Sequence, residues 1–411
     1  MGEYTHFLSA RGYEISPEDE NYTQELLEVA QSFRTFDAAL DEFIICKGYQ
    51  GDIGDTEAKV RYIKGKFEEA GIPMETRILR SWFQKHIQAD KRDIAVRFCF
   101  AFRLTIEETE DFFRRVYLQR SLDCHTIREA IYYYCLSHGM SYAQAQELLA
   151  QAPNQDGKGQ MDDEGEALFT GTIIKELERF QSPEELLAFL TDNRDQFGYN
   201  NATAKKYIKE LWRRITGENG LADRELFRRY PGQAAAGRQR SVWDIYQQIF
   251  GLLDYDRIGG DKLFLVKGDR TLQPLLKAND LIHPLVRRSF PDRQGLEAII
   301  SGNWQSDEVV RKTLILLAFY RFWTDLFLKG KEAEYMAGPH DAQRCLASIN
   351  RLLLDARYPD LYEGNPYDWI FLYASQDTYP LDAFRFFMRE VYLNKLDPEP
   401  CRRSKEDTGS L

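Results

Sequence analysis

The sequence lacks the features by which most enzymes and membrane proteins are recognised. Within its 411 residues there is no nucleophile elbow, no phosphate-binding P-loop and no glycine-rich dinucleotide fingerprint. It also lacks an apolar run of membrane-spanning length, since the most apolar stretch, 313–328, is interrupted by Arg321 and Asp325. These absences favour a non-enzymatic protein without a membrane partner.

Cysteine is scarce and scattered. The six cysteines have none of the dense, regular spacing of a disulfide-rich secreted domain, and residues 1–13 show neither a basic leader nor an apolar signal-peptide core. We therefore expect reduced thiols and a cytoplasmic protein. Four residues of types that bind zinc are Cys124, His125, Cys135 and His138. Their spacing matches no zinc finger, so we expect neither a metal ion nor another cofactor.

Positive charge is in deficit over the chain as a whole. The net charge of −11 argues against a protein that coats nucleic acid or an anionic membrane by bulk electrostatics. One segment departs from this balance, because ten Lys and Arg face six Asp and Glu between Glu57 and Arg97, a local net charge of +4. A local basic face is therefore compatible with the sequence.

What the sequence does contain is helical periodicity. Apolar residues recur at intervals of three and four, and alternating runs are few, which predicts an all-α fold of multi-helical bundles. A long apolar stripe predicts one helix over 22–46, and only 262–266 looks strand-like. The 26 Phe and 23 Tyr predict thick, ring-filled interfaces between helices.

Local signals mark several helix starts. Thr105 with Glu108, and Ser141 with Gln144, have the spacing of capping boxes. The pair Ser182-Pro183 predicts an N-cap followed by proline in the first helical position. Other helices are expected near 56–70, 74–86, 91–103, 105–118, 125–138, 141–151, 241–254, 306–328, 340–355 and 380–395.

Two polar stretches predict the domain organisation. Residues 154–166 are acidic and contain glycine, and residues 231–240 are rich in Gly, Ala and Arg, so we interpret both as connections between domains. The predicted parts are an N-terminal helical domain over 1–153, a small helical domain over 167–230, a C-terminal helical domain over 241–396 and a disordered tail over 397–411.

The run from Arg92 to Glu108 has a distinctive order. An Arg-Asp pair opens a helix, apolar residues follow, and Leu-Thr-Ile-Glu-Glu begins the next helix. Together with residues 75–85, this pattern over 71–149 resembles the bacterial and phage-repressor (Xre-like) helix-turn-helix domain. The resemblance implies that 75–85 is the recognition helix and that DNA is a candidate partner. The implied nucleic-acid-binding residues are Arg77, Arg80, Ser81, Gln84, Lys85, Lys91 and Arg92.

Phe67 departs from the pattern of that family. It stands four residues before Gly71, where the first helix usually carries a small residue because the two helices touch there. A phenyl ring is expected to spread the helices. Two interpretations therefore stand side by side: a unit that contacts DNA, and a repressor-like bundle used for packing or protein contact.

Two other segments carry weaker patterns. Residues 291–323 repeat the order of helix, glycine turn and capped helix, with a predicted polar face of Arg293, Ser301, Asn303, Arg311 and Lys312. The aromatic stretch 364–369 predicts a loop pinned by its rings at the start of a helix, or alternatively a docking surface for a partner.

The chain as a whole is similar to helical proteins of Firmicutes that occur near mobile elements. The likeness rests on Asp123-Cys124-His125, on Tyr132-Tyr133-Tyr134-Cys135 and on residues 364–370. It implies no activity.

Three functions follow as hypotheses. The first is a non-enzymatic bacterial regulatory or interaction protein whose repressor-like unit contacts DNA. The second is a protein-protein adaptor or inhibitor, associated with mobile elements or defence, that does not bind nucleic acid itself. The third is an enzyme of unfamiliar type, which would require polar groups clustered in a pocket. The sequence does not determine the oligomeric state.

Overall fold

The computed structural model describes most of the chain as helices. The described residues are 3–16, 32–84, 92–153, 170–198, 201–229, 241–251, 293–303, 306–330, 335–338 and 340–387, with positions 19, 21, 22, 25, 28 and 29. Within them lie seventeen α-helices, one 3-10 turn at Arg194–Gln196 and no strand, which confirms the all-α class. The strand-like stretch 262–266, both predicted linkers and the predicted tail lie outside the described residues.

Apart from Asp307–Lys329, the helices are short to medium in length. Residues 380–387 are helical as well. In chain order the helices are α1 Glu3–Glu14, α2 Phe36–Cys46, α3 Thr56–Glu69, α4 Thr76–Gln84, α5 Arg92–Ala101, α6 Ile106–Arg115, α7 Ile127–Ser137, α8 Tyr142–Gln151, α9 Thr170–Arg179, α10 Pro183–Asp192, α11 Ala202–Thr216, α12 Leu221–Arg229, α13 Val242–Ile249, α14 Arg293–Ile300, α15 Asp307–Lys329, α16 Asp341–Asp355 and α17 Pro366–Gln376.

The chain divides into two compact units. The first unit comprises 1–33, 204–352 and 361–411, and the second comprises 34–203 and 353–360. These bounds differ from those of the predicted domains. In the second unit α9 packs on α7 and α10 packs on α8, so helices on both sides of residues 154–166 share one core. In the first unit the indole N–H of Trp369 donates to the carbonyl of Leu8 over 2.9 Å, which ties α1 to α17.

The prediction of one continuous helix over 22–46 is wrong. Helix α2 begins at Phe36, and its N-cap Thr35 is extended, with φ −72° and ψ 162°. The apolar stripe belongs to two cores: Phe33 packs edge-on against Trp369 in the first unit, with ring centroids 6.0 Å apart. In the second unit Phe36 packs edge-on against Trp82 at 5.9 Å. The chain is therefore not helical between Phe33 and Phe36, and these two rings pack into the cores of different units.

The short-range capping signals are confirmed. At α6 the Thr105 hydroxyl accepts the Glu108 amide at 3.2 Å, while the Glu108 carboxylate accepts the Thr105 amide at 3.1 Å. The same reciprocal pair closes the start of α8. Ser182 caps α10, and Pro183 holds its first position. Each of these bonds satisfies amide groups that have no partner within the helix.

Aromatic rings fill the core of the second unit, as the composition predicts. Phe98 on α5 lies at the centre of a stack, with ring centroids 4.4 Å from Phe102 and 5.0 Å from Phe112. Phe67 on α3 approaches the same ring at 6.0 Å and is fully buried. This stack holds α3, α5 and α6 together and so provides the support on which α4 lies.

The core of the first unit is built around α15. The predicted polar face of 291–323 is wrong for Arg311 and Lys312, which are both buried. Arg311 donates two hydrogen bonds, of 2.7 and 2.8 Å, to the carboxylate of Asp368 in α17. The stretch 364–369 is a loop only up to the N-cap Asn365, since α17 begins at Pro366, and the buried rings of Tyr367 and Trp369 lie in the first turns of this helix. Among the described helices, α15 included, none is long and apolar enough to cross a membrane.

Candidate nucleic-acid interface

The connection from α3 to α4 is a glycine-terminated helix end. Gly71 has φ +68°, and its amide donates to the carbonyl of Glu68 over 3.0 Å. The amide of Ile72 donates to the carbonyl of Phe67 over 2.8 Å. This pair of bonds is the Schellman motif, in which an apolar contact between the residues at Phe67 and Ile72 is usual. Both side chains are buried. Phe67 thus belongs to the core at the end of α3.

Helix α4 is sharply two-sided. Leu79, Trp82 and Phe83 are buried, so this side is fixed to the core, where α4 packs on α2 and α3. Four of the residues predicted to contact nucleic acid lie on α4 at intervals of three and four, which brings them to one face of the helix. Arg77 and Gln84 are exposed, whereas Arg80 and Ser81 are half-buried.

Two side chains of this face have bonds within the chain. The guanidinium of Arg80 donates from Nε and Nη2 to the two carboxylate oxygens of Glu57, over 2.6 and 2.8 Å. These hydrogen bonds lower the pKa of Glu57 and raise that of Arg80. The hydroxyl of Ser81 donates to the carbonyl of Ile78 over 2.6 Å. Ser81 can still accept a bond from a partner, whereas the Nε and Nη2 donors of Arg80 are engaged by Glu57.

Arg92 faces the interior of the second unit. Its guanidinium donates to the carboxylate of Glu129 over 2.5 Å and to the carbonyls of Arg120 and Ser121 over 2.6 and 2.5 Å. It also lies over the ring of Phe113 at 5.1 Å. Burial alone would lower the pKa of Arg92, but the carboxylate of Glu129 raises it. Arg92 thus joins the start of α5 to α7. Lys85 and Lys91 lie outside the described residues.

The charges of α3 are largely balanced by their neighbours. Lys66 lies 3.2 Å from the carboxylate of Glu69, and Lys64 lies 3.5 Å from that of Glu68. Lys59 is buried against Asp41. The described part of the segment with local net charge +4 is therefore a mixed-charge surface on which Arg77 is an exposed cation.

Comparison with protein-family models, with curated proteins and with solved structures gives no match. The likeness to Xre-like domains and to Firmicutes proteins therefore stays a prediction.

The zinc-ligand types between 124 and 138 have other contacts. Nδ1 of His138 lies 2.9 Å from the carbonyl of Tyr134, and Nε2 lies 3.1 Å from that of Phe180. Cys124 and Cys135 are fully buried, and burial raises the pKa of the Cys135 thiol to about 12. Within the described ranges no three His, Cys, Asp or Glu side chains are grouped to hold a metal ion. A protonated thiol in such surroundings packs as a small apolar side chain.

The sequence gives no indication of a buried charge cluster in the first unit. Glu225 of α12 has no exposed surface and accepts hydrogen bonds from Arg385 at 2.8 and 3.1 Å. It also accepts from the hydroxyl of Tyr320 at 2.7 Å and from the amide of Gln248 at 2.9 Å. Burial raises the pKa of Glu225, but Arg385 and the other donors lower it to about 2. These three partners lie 23 to 160 positions from Glu225 along the chain, beyond the range of any local pattern, whereas Arg229, which donates from Nε over 2.9 Å, lies one turn away on the same helix.

Proposed function

We propose that the chain is a non-enzymatic regulatory or interaction protein that binds a macromolecular partner through the outer face of α4. The observation that carries this proposal is the row of Arg77, Arg80, Ser81 and Gln84 on a helix whose opposite side is buried. A fixed helix with a polar outer row presents its side chains without a large loss of conformational entropy on binding.

DNA is the partner class that this row fits best. Arginine and glutamine contact guanine, adenine and phosphate oxygens, and serine contacts either bases or phosphates. From Arg77 to Gln84 the helix rises by about 10 Å, seven steps of about 1.5 Å, which a major groove about 12 Å wide accommodates.

The test is binding of the full chain to mixed-sequence duplex DNA, measured by fluorescence anisotropy at about 50 and about 200 mM salt. We expect binding at the lower salt concentration that weakens at the higher one. Arg77→Gln should weaken binding and reduce the salt slope by about 1, because one phosphate contact is lost.

Arg179→Gln is the matched control for Arg77→Gln. It removes the same charge from a side chain on α9 that is 71% exposed, so general electrostatics changes equally. An equal loss with both variants would contradict a role for α4, and no binding at either salt concentration would remove DNA as the partner.

A protein-protein adaptor or inhibitor, of the mobile-element or defence type, is the second candidate. It is favoured by the mixed charge of α3, where Lys64 and Lys66 already face carboxylates, because interfaces between proteins use both signs of charge for specificity. Affinity capture from the native host tests this candidate. A protein retained by the wild type and by Arg179→Gln but lost with Arg77→Gln would support it, whereas recovery of nucleic acid alone would exclude it.

A further inference from the structure

We infer that Glu57 is an internal competitor of DNA, which holds Arg80 in the free protein and is replaced by a backbone phosphate when the α4 face binds. This inference rests on the proposed function. Glu57 would then set the affinity of the α4 face without touching DNA itself.

The geometry of the pair is that of anion recognition. Arg80 uses Nε and Nη2, two parallel donors, on the two oxygens of one carboxylate, at 2.6 and 2.8 Å. Carboxylate and phosphate accept this fork in the same bidentate manner. Glu57 therefore occupies an edge of the guanidinium that can bind a phosphate in the same way.

Glu57 has no competing role at the start of α3. The N-cap there is Asp55, whose carboxylate accepts the amide of Ala58 over 3.0 Å. The helix start is thus capped without Glu57, whose hydrogen bonds go to Arg80. A carboxylate in the first turn of a helix interacts favourably with the helix dipole, and the carboxylate of Glu57 is held against Arg80 of α4 by the two hydrogen bonds.

The pair is also exposed enough to exchange. The side chains of Arg80 and Glu57 are 38% and 46% exposed, so solvent and salt screen the attraction between them. A phosphate can therefore replace the carboxylate at small cost. Arg92 differs in this respect, since its partner Glu129 has a side chain only 14% exposed.

The experiment compares two charge-equivalent variants, Glu57→Gln and Glu68→Gln. Both remove one negative charge from α3, but Glu68 lies 3.5 Å from Lys64 and is 66% exposed. The affinity of the full chain for duplex DNA is measured at about 50 mM salt. We expect Glu57→Gln to tighten binding about two- to fivefold more than Glu68→Gln, the fold-change that corresponds to the usual strength of an exposed pair.

A second comparison uses Arg80→Gln as the background. In this background Glu57→Gln should no longer increase the DNA affinity more than Glu68→Gln does, because Arg80, the arginine that Glu57 binds, is absent. Thermal unfolding of each variant shows that the chains compared are folded.

Four results would overturn the inference. Equal affinity of Glu57→Gln and Glu68→Gln, or a gain from Glu57→Gln that persists without Arg80, refutes the competition and leaves DNA binding intact. Weaker binding by Glu57→Gln means that Glu57 positions Arg80 for a phosphate on its other edge. Absence of DNA binding by the wild type and all variants refutes both the competition and DNA as the partner.

Discussion

At the level of single residues, Gly71 explains the glycine turn that precedes α4 in the helix-turn-helix-like pattern. Its φ of +68° and the two hydrogen bonds around it end α3. The same arrangement ends α7, where Gly139 has φ +64° and Met140 donates to the carbonyl of Cys135. The glycine at the turn is thus a general stop signal in this chain. It predicts where the helix ends but does not predict whether the next helix enters a groove.

Gly71→Ala and Gly65→Ala should change stability in opposite directions. Gly71 has φ +68° with open space where the methyl group of alanine would lie, so alanine there costs about 1 kcal/mol through backbone strain alone. Gly65 is inside α3 with equally open space, so alanine there adds up to about 1 kcal/mol of helix stability. Urea unfolding of both variants measures the difference. Equal effects of the same sign would contradict the left-handed conformation of Gly71.

At the level of elements, the accuracy of sequence-based prediction follows the range of the interactions. The caps at Thr105 and Ser141 were predictable because each involves residues three positions apart. The two-sided form of α4 was predictable from its period. The burial of Arg311 was not, because its partner Asp368 lies 57 positions away. The Arg80 and Glu57 pair, 23 positions apart, is beyond local patterns for the same reason.

Arg92→Gln and Arg77→Gln should differ sharply in stability. Arg92 joins α5 to Glu129 of α7 and to two carbonyl groups. Its loss leaves Glu129 partly buried without its partner, at a cost of about 3 kcal/mol. Arg77 is exposed, so its replacement should alter the unfolding free energy by less than about 0.5 kcal/mol. Urea unfolding at neutral pH provides the comparison, and a small effect for both variants would contradict the enclosed position of Arg92.

For the molecule as a whole, the net charge of −11 conceals where the charges lie. Glu225 and Asp368 are fully buried and each faces an arginine within the first unit. Such carboxylates add nothing to the surface potential that a partner meets. Composition alone therefore describes solubility and long-range steering but leaves the internal ion pairs undetermined.

Acid should destabilise the first unit through Glu225. The pKa of Glu225 is about 2 in the folded chain against an ordinary value of 4.5. A carboxyl with a lowered folded pKa contributes stability that is present above 4.5 and is lost as the pH falls toward about 2. Glu225→Gln should cost about 3 kcal/mol at neutral pH, because Arg385 is left opposite a neutral amide, and should flatten the decline of stability in acid. Unfolding free energies measured from neutral pH down to about pH 2.5 test both effects, with the exposed Glu68→Gln as the charge-matched control. A decline in Glu225→Gln as steep as in the wild type would show that other carboxyls dominate acid unfolding, because the interaction with Arg385 that lowers the pKa of Glu225 has already been removed in this variant.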